Sequence, residues 1–135
     1  DRRQRQMCIR DRVSVGRGTK IQFQIYGHPD FISDFSFTPM PNFGSQYPKL
    51  NGKLSFGEDL RNYKTKARIE LKWLIKSYNQ ISDKTKFFRS DFDKLSGTSN
   101  LKKQIIEGES ESLIRESWKE GLEKFKKIRE KYLLY

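Results

Sequence analysis

The hydrophobic pattern of this 135-residue chain changes period once, near residue 60. Before that point apolar and polar residues alternate, as in residues 20–26, which is typical of a strand with one buried face. After it, apolar residues recur every three or four positions, as in residues 64–80, which is typical of an amphipathic helix. Strands followed by helices, without βαβ alternation, predict an α+β fold. We expect a small, mostly antiparallel sheet from the N-terminal half, covered by about three helices from the C-terminal half.

The same patterns place the individual elements along the chain. The predicted strands are residues 13–15, 20–26, 35–39 and 54–57, and the predicted helical segments are residues 64–80, 90–95, 101–107 and 113–132. In the second strand Ile21, Phe23 and Ile25 would share one face. Gly27-His28-Pro29-Asp30 is expected to end that strand. The last helix is expected to support the fold, and the apolar residues that follow it are expected to dock on the domain.

Residues 40–53 are rich in proline and glycine, and they are predicted to form a long ordered loop.

Ser14-Val15-Gly16-Arg17-Gly18-Thr19 is the stretch that most resembles a binding loop. Gly16 and Gly18 allow positive φ or close backbone approach, and the planar guanidinium of Arg17 suits a carboxylate. A tight turn with a solvated arginine is the plainer explanation of this spacing. The third glycine of a dinucleotide fingerprint and the Gly-Lys-Ser/Thr of a P-loop are both missing, so no nucleotide site is predicted.

Other residues that carry chemistry are few. His28 is the only histidine, and a lone histidine is usually structural or merely exposed. With no second histidine, and no cysteine in residues 13–135, neither a metal site nor a cofactor is predicted. Glu58 and Asp59 resemble half of a glycosidase pair, but neighbours in an extended segment point to opposite faces and cannot flank one bond.

The net charge of +11 favours anionic partners, such as nucleic acid, acidic lipids or acidic glycans. Lysine and glutamate nevertheless mix along the predicted helix faces, which is typical of a solvated surface and not of a one-sign stripe for nucleic acid. No run of 18 apolar residues exists, so no membrane span is predicted.

The first twelve residues are interpreted as non-native. Gln6-Met7-Cys8-Ile9-Arg10-Asp11-Arg12 is what translation of a transposon-end sequencing adapter would produce, so residues 1–12 are excluded from fold reasoning. Their exclusion removes Cys8, the only cysteine. Basic residues still outnumber acidic ones in the remainder, 23 to 15.

Several separate short motifs, in this order and spacing, resemble the NamZ family of exo-β-N-acetylmuramidases. They are Ser14-Val15-Gly16-Arg17-Gly18-Thr19, Phe23-Gln24, Gly27-His28-Pro29, Phe37-Thr38-Pro39, Gly57-Glu58-Asp59-Leu60, Leu95-Ser96-Gly97 and Arg129-Glu130-Lys131-Tyr132-Leu133-Leu134-Tyr135. The resemblance covers essentially all of residues 13–135.

The resemblance implies a bacterial enzyme of cell-wall turnover that removes terminal N-acetylmuramic acid from the non-reducing ends of peptidoglycan fragments. The family that this chain resembles has an N-terminal Rossmann-like catalytic domain, a smaller C-terminal domain and a substrate cleft near their junction. Residues 13–22 would then be the tail of the catalytic domain, and residues 23–135 the C-terminal domain. The missing catalytic domain is the expected partner in cis, so no catalytic residue is expected in this chain and the fragment is expected to be inactive alone. A periplasmic or secreted location is implied.

The lactyl carboxylate distinguishes N-acetylmuramic acid from N-acetylglucosamine, and a charge-assisted contact from arginine would recognise it. Arg17 is the first candidate, with Gly16 and Gly18 letting the loop approach the sugar. The other candidate substrate-binding residues are Ser14, Thr19, Tyr26 and His28. Two alternatives stay open: a muropeptide-binding module without chemistry, and a basic nucleic-acid-binding domain.

Overall fold

The computed structural model describes residues 12–133, so predictions that concern Cys8, the rest of residues 1–11, or Leu134 and Tyr135 lie outside the described residues. The strands within this range are β1 (Ile25–His28), β2 (Phe35–Phe37) and β3 (Ser55–Asp59). The helices are α1 (Lys72–Gln80), α2 (Phe92–Ser96), α3 (Asn100–Ile106) and α4 (Glu111–Glu130), with a 3₁₀ turn at Lys84–Lys86. The predicted α+β class is confirmed, with strands first and helices after.

The sheet is antiparallel, and β3 lies between β1 and β2. Tyr26 of β1 is opposite Glu58 of β3, and Gly57 is opposite Phe35 of β2. On the outer side of β1, Ser14 forms an isolated bridge with Gly27 through two hydrogen bonds of 2.9 Å. The predicted strand at residues 13–15 is therefore reduced to a bridge beside β1.

The strand predicted at residues 20–26 is wrong. Residues 19–24 form turns, β1 begins only at Ile25, and it continues through Gly27 and His28, which were expected to end it. The cause is Phe23, which adopts a left-handed φ of 62° and donates its amide to the Val15 carbonyl at 2.8 Å. That bond folds the chain back on itself, so Ile25 is fully buried whereas Phe23 is exposed.

The remaining strands and helices lie near their predicted positions, with one further correction. The predicted helix at 64–80 begins only at Lys72, because residues 64–69 are exposed and Glu70 bonds back to Tyr63. β3 extends two residues beyond the prediction, to Asp59. The helical segments α2, α3 and α4 are confirmed, with bounds shifted by one or two residues.

The hydrophobic core joins the two halves of the chain in one cluster. Tyr26 and Phe31 of the N-terminal half pack in one cluster with Phe87, Phe92 of α2 and Ile114 of α4. Several of the rings meet edge to face, including Tyr78 with Phe87 at a centroid distance of 5.4 Å. The sheet and the helical half thus share one core, and the bridge between Ser14 and Gly27 places the loop at residues 14–19 along the edge of β1.

The second half of α4 lies outside this core. Residues 119–133 are all exposed, including Leu122, Phe125, Tyr132 and Leu133, although this helix was expected to support the fold and its apolar end to dock. Only the first half of α4 supports the fold, because Ile114 is the last fully buried side chain of the helix. No helix within residues 12–133 is long and apolar enough to cross a bilayer.

Candidate functional site

The backbone of the loop at residues 14–19 requires both of its glycines. Gly16 has a φ of 76° and Gly18 a φ of 82°, in the left-handed region that side chains disfavour. A Cβ at Gly16 would lie 2.6 Å from Cγ1 of Ile25, and a Cβ at Gly18 would lie 2.5 Å from the Met40 carbonyl oxygen. The glycines therefore set the path of the loop and let it pack tightly against β1 and the long loop.

Arg17 is held at the surface by an aromatic contact. Its guanidinium carbon lies 5.2 Å from the ring centroid of Phe23, the residue with the left-handed φ. Strained residues of this kind concentrate at functional sites. No carboxylate within the described residues forms an ion pair with Arg17. The guanidinium is oriented by the ring, yet its hydrogen-bond donors remain available to an anion.

The two hydroxyl residues of the loop bond within the loop itself. The buried Oγ of Ser14 accepts a hydrogen bond from the Gly16 amide at 3.3 Å. Oγ1 of Thr19 donates to the Gly16 carbonyl at 2.7 Å and accepts from the Ile21 amide at 3.2 Å. Ser14 and Thr19 thus shape the loop around Arg17.

Tyr26 points into the core and not toward Arg17. It is almost fully buried and lies opposite Glu58 in the sheet, and Glu58 in turn forms an ion pair with Lys76 of α1. Burial raises the pKa of the Tyr26 phenol well above its usual range, and the negative charge of Glu58 raises it further. Tyr26 therefore stays protonated, and the link between the sheet and α1 is the ion pair of Glu58 with Lys76.

His28 lies on the same face of β1, two residues beyond Tyr26. Its side chain is 14% exposed, and Nδ1 accepts a hydrogen bond from the Asp30 amide at 3.1 Å. Burial lowers the pKa of His28, and the positive charges of Arg12, Lys53 and Lys49 lower it further, against the opposing effect of Asp30. The imidazole is accordingly neutral near pH 7, with Nδ1 already engaged.

Five of the seven predicted site residues lie in this loop because they are neighbours in the sequence, and His28 flanks Gly27, the residue that pairs with Ser14. Tyr26 is separated from them because its side chain belongs to the core.

Sequence reasoning missed a cleft between the end of β3 and helix α1. It has a volume of about 400 Å³. Its lining residues are Glu58, Asp59, Leu60, Asn62, Tyr63, Lys72, Trp73 and Lys76. We refer to it as the β3–α1 cleft.

Two aromatic rings and a lysine form one wall of the β3–α1 cleft. Nζ of Lys72 donates to the Tyr63 hydroxyl at 2.8 Å and lies 4.6 Å from the centroid of the Trp73 ring. The Tyr63 hydroxyl donates to Oε1 of Glu70 at 2.9 Å. Glu70 is only 8% exposed, and its buried Oε2 has no partner among the described residues. The wall is therefore a connected polar network with one unused acceptor.

The cleft escaped prediction because a continuous helix at 64–80 would have carried Tyr63 away from Trp73. In the structure the chain before α1 is not helical, and the two rings meet edge to face with their centroids 4.9 Å apart. The available signal was the pair Lys72 and Lys76, which are four residues apart on a helix and flank an aromatic residue.

The adjacent carboxylates Glu58 and Asp59 both line the β3–α1 cleft, but each is paired with a different cation. Glu58 contacts Lys76 and Tyr26, whereas Asp59 accepts hydrogen bonds from the Arg61 side chain at 2.6 to 3.0 Å. These bonds hold the pKa of the Asp59 carboxyl below its usual range. Across residues 12–133, no group of three His, Cys, Asp or Glu side chains could hold a metal ion.

Comparison with known proteins points to one family. Residues 6–135 match the family model described as exo-β-N-acetylmuramidase NamZ, C-terminal. The fold is similar to the crystal structure of a DUF1343 family protein from Bacteroides fragilis NCTC 9343, with a TM-score of 0.84 and 39% sequence identity. The match covers 91% of this chain but only 36% of that one. A search of curated proteins finds no match.

Proposed function

This chain belongs to the family of NamZ C-terminal domains, and on that premise we propose that it forms part of the substrate cleft of an exo-β-N-acetylmuramidase. Such an enzyme hydrolyses terminal N-acetylmuramic acid from the non-reducing ends of peptidoglycan fragments. Family membership already makes this a glycoside-hydrolase-related domain. The proposal adds the sugar and the role of the domain in binding it, outside the cytoplasm where peptidoglycan is turned over.

One observation carries the proposal: Arg17 is oriented by Phe23 while no described carboxylate pairs with it. A surface arginine whose loop depends on two left-handed glycines and a left-handed Phe23 is more constrained than solvation requires. A guanidinium binds a carboxylate through two parallel hydrogen bonds, and the lactyl group of N-acetylmuramic acid supplies that carboxylate.

The other candidate residues support Arg17 in this proposal. Ser14 and Thr19 hold the loop, whereas Gly16 and Gly18 give it its path. His28 lines the adjacent edge of the sheet, and Tyr26 supports β1 from within the core. The catalytic carboxylate is contributed in cis by the rest of the longer protein, since this chain spans only 36% of the length of its structural relative.

The test replaces Arg17 by lysine in a full-length homologue that carries an arginine at this position. Arg17→Lys keeps the positive charge but loses one of the two parallel hydrogen bonds that a guanidinium donates to a carboxylate. A charge-assisted hydrogen bond contributes about 1.5–3 kcal/mol. We expect kcat/KM for a muramic acid glycoside to fall by about 10- to 100-fold.

The matched control is Arg68→Lys, because Arg68 is exposed on the segment before α1 and far along the chain from the loop. It is expected to leave kcat/KM unchanged. Equal turnover by the Arg17→Lys variant and the parent enzyme would remove Arg17 from the site.

A second candidate function, a muropeptide-binding module without chemistry, is favoured by the β3–α1 cleft. Its two lysines and two aromatic rings are the side chains that contact acidic glycans and peptides. A binding module would bind a muramic acid disaccharide on its own, and a domain that only completes an enzyme would not. Calorimetry of this chain with the disaccharide, compared with the Lys72→Gln variant, separates the two functions.

A further inference from the structure

The apolar stripe of α4 continues beyond the domain that buries its beginning. Ile114 is fully buried on this stripe. The next apolar side chain, Trp118, is half-buried. The stripe then runs on through four exposed side chains, at three- and four-residue steps: Leu122, Phe125, Ile128 and Tyr132, which are 52%, 59%, 54% and 77% exposed. We call these four residues the α4 seam.

The opposite face of α4 is satisfied within the helix. Lys119 pairs with Glu116, Lys124 with Glu120, and Lys126 with Glu123, at 2.6 to 3.3 Å. Such pairs at three- and four-residue spacing support a helix in water without neighbours. The polar face therefore needs no partner, whereas the apolar seam has none within the described residues.

Gly121 is an independent sign that something approaches the seam. It lies in the middle of α4, where glycine is, after proline, the residue that most destabilises a helix. Its φ is not left-handed, and a Cβ placed on it would meet nothing within 4 Å. Nothing in residues 12–133 requires a glycine here, but a closely packed partner beside the seam would.

We propose that the α4 seam docks against the domain that precedes this one in the longer proteins of its family. The matched family model is that of a C-terminal portion, and the structural relative is about three times longer than the matched region, which covers 36% of it. A domain on the same polypeptide is present at high effective concentration, so even a small apolar face binds it. The proposal rests on family membership and not on the sugar chemistry proposed above.

The size of the seam argues against a second copy of this chain as the occupant. Four half-exposed apolar side chains present on the order of 400 Å². A stable complex between separate chains buries about 800 Å² on each partner. The seam alone falls short of that area, whereas docking within one chain does not need it.

The net charge beside the seam also argues against a second copy of this chain as the occupant. Residues 118–133 carry six basic and three acidic side chains. Two copies that paired along the seam would bring two surfaces of net positive charge together, which disfavours pairing. The seam instead fits a partner whose surface is apolar with an acidic rim.

The experiment uses a longer protein in which residues 12–133 replace the matched segment of the Bacteroides fragilis relative. Scanning calorimetry of this protein is expected to show one coupled unfolding transition. Phe125→Glu is expected to split it into two, because a charge on the seam breaks the docking of the domains. Lys127→Glu on the polar face is the matched control and is expected to leave one transition.

The same Phe125→Glu substitution in the 135-residue chain is expected to leave its melting temperature unchanged, because Phe125 is exposed there. This measurement shows that a split transition in the longer protein does not come from misfolding of the domain. Gly121→Ala gives a second readout, because it is expected to affect the stability of the isolated domain and the coupling between domains in opposite directions. It is expected to raise the melting temperature of the 135-residue chain and to weaken domain coupling in the longer protein.

Two results would overturn the proposal. One is a single transition that is unaffected by Phe125→Glu in the longer protein. The other is a dimer of the 135-residue chain, measured by light scattering, that Phe125→Glu dissociates, since the seam would then bind a second copy. Because neither readout involves hydrolysis, both are independent of the muramidase assay.

Discussion

At the scale of single residues, β1 and β3 can approach each other at Gly57 only because glycine has no Cβ. A Cβ there would lie 1.7 Å from the Tyr26 carbonyl oxygen and 2.6 Å from Cα of Gly27, both backbone atoms that cannot move aside. We therefore predict that Gly57→Ala lowers the free energy of unfolding by about 3 kcal/mol or more. Urea denaturation of the purified chain measures this.

The matched control for Gly57 is Gly44, in the long loop. A Cβ there would lie 3.3 Å from Nε2 of Gln22, the flexible end of a side chain. Gly44→Ala is expected to change the free energy of unfolding by no more than about 0.5 kcal/mol. Similar losses in the two variants would mean that the close approach of β1 and β3 at Gly57 is not what limits stability.

His28 gives the protein a pH dependence of stability that can be assigned to one side chain. Its pKa is lowered in the folded state, mainly by burial, from about 6.5 in the unfolded chain. The unfolded state therefore binds more protons at mildly acidic pH, so stability rises with pH up to about 6.5 and then levels off. His28→Asn keeps an acceptor for the Asp30 amide and removes the titration, and it is expected to flatten this rise.

Urea midpoints between pH 5 and 8 test the role of His28. The carboxyls of Asp30 and Asp59 have lowered pKa values, so their stabilising contributions are lost only as the pH falls below about 4. They do not overlap the window of His28. A slope that persists unchanged in His28→Asn would assign the pH dependence to another group.

The residues of the candidate site show what local sequence can predict. Two glycines around Arg17 were sufficient to predict a constrained loop, because positive φ and close approach are properties of glycine itself. The aromatic contact of Arg17 could not be read from the sequence, since it depends on the left-handed Phe23. The burial of Tyr26 depends on Glu58 across the sheet, and on packing from the helical half.

At the scale of elements, local periodicity succeeded where glycines marked the ends. α2 is followed by Gly97 and α3 by Gly108, both left-handed, as the αL helix ends require. Periodicity failed where a hydrogen bond between residues seven or eight positions apart competed with it. The strand expected at 20–26 lost its first residues to the bond between Phe23 and Val15, and the helix expected from residue 64 begins only after Glu70 turns back to Tyr63.

Helix α4 has one continuous apolar periodicity, but its first half is buried in the domain and its second half is exposed. The three- and four-residue spacing of its apolar residues is the same in both halves, so the pattern cannot distinguish a buried stripe from an exposed one. Ile114 is buried because the rest of the domain reaches it, and Phe125 is exposed because the domain ends before it.

At the scale of the whole molecule, the shared core predicts that sheet and helices unfold together. Ile114 of α4 belongs to the same cluster as Tyr26 of β1. We predict that Ile114→Ala lowers the free energy of unfolding by about 2–5 kcal/mol, because it leaves a cavity in this cluster. Leu113→Ala, on the adjacent exposed residue, is expected to cost much less.

Hydrogen exchange shows whether the loss reaches the sheet. The Gly27 amide bonds to the Ser14 carbonyl at 2.9 Å, on the edge of β1 and far along the chain from residue 114. In a single cooperative unit its protection falls by the same free energy as the global stability. Unchanged protection of Gly27 in Ile114→Ala would show that the sheet folds independently of α4.

The sequence by itself determined the α+β class, the order of strands and helices, the ends of α2 and α3, and the motifs that resemble one family. These follow from periodicity and glycine conformation, which act over a few residues, and from the order of short motifs along the chain. Only the tertiary structure decided where β1 and α1 begin, that Tyr26 is buried, and that Tyr63 and Trp73 enclose a cleft. It also decided that the α4 seam is exposed. Each of these depends on contacts that reach beyond the three or four residues over which a periodic pattern acts, and such contacts exist only once the chain has folded.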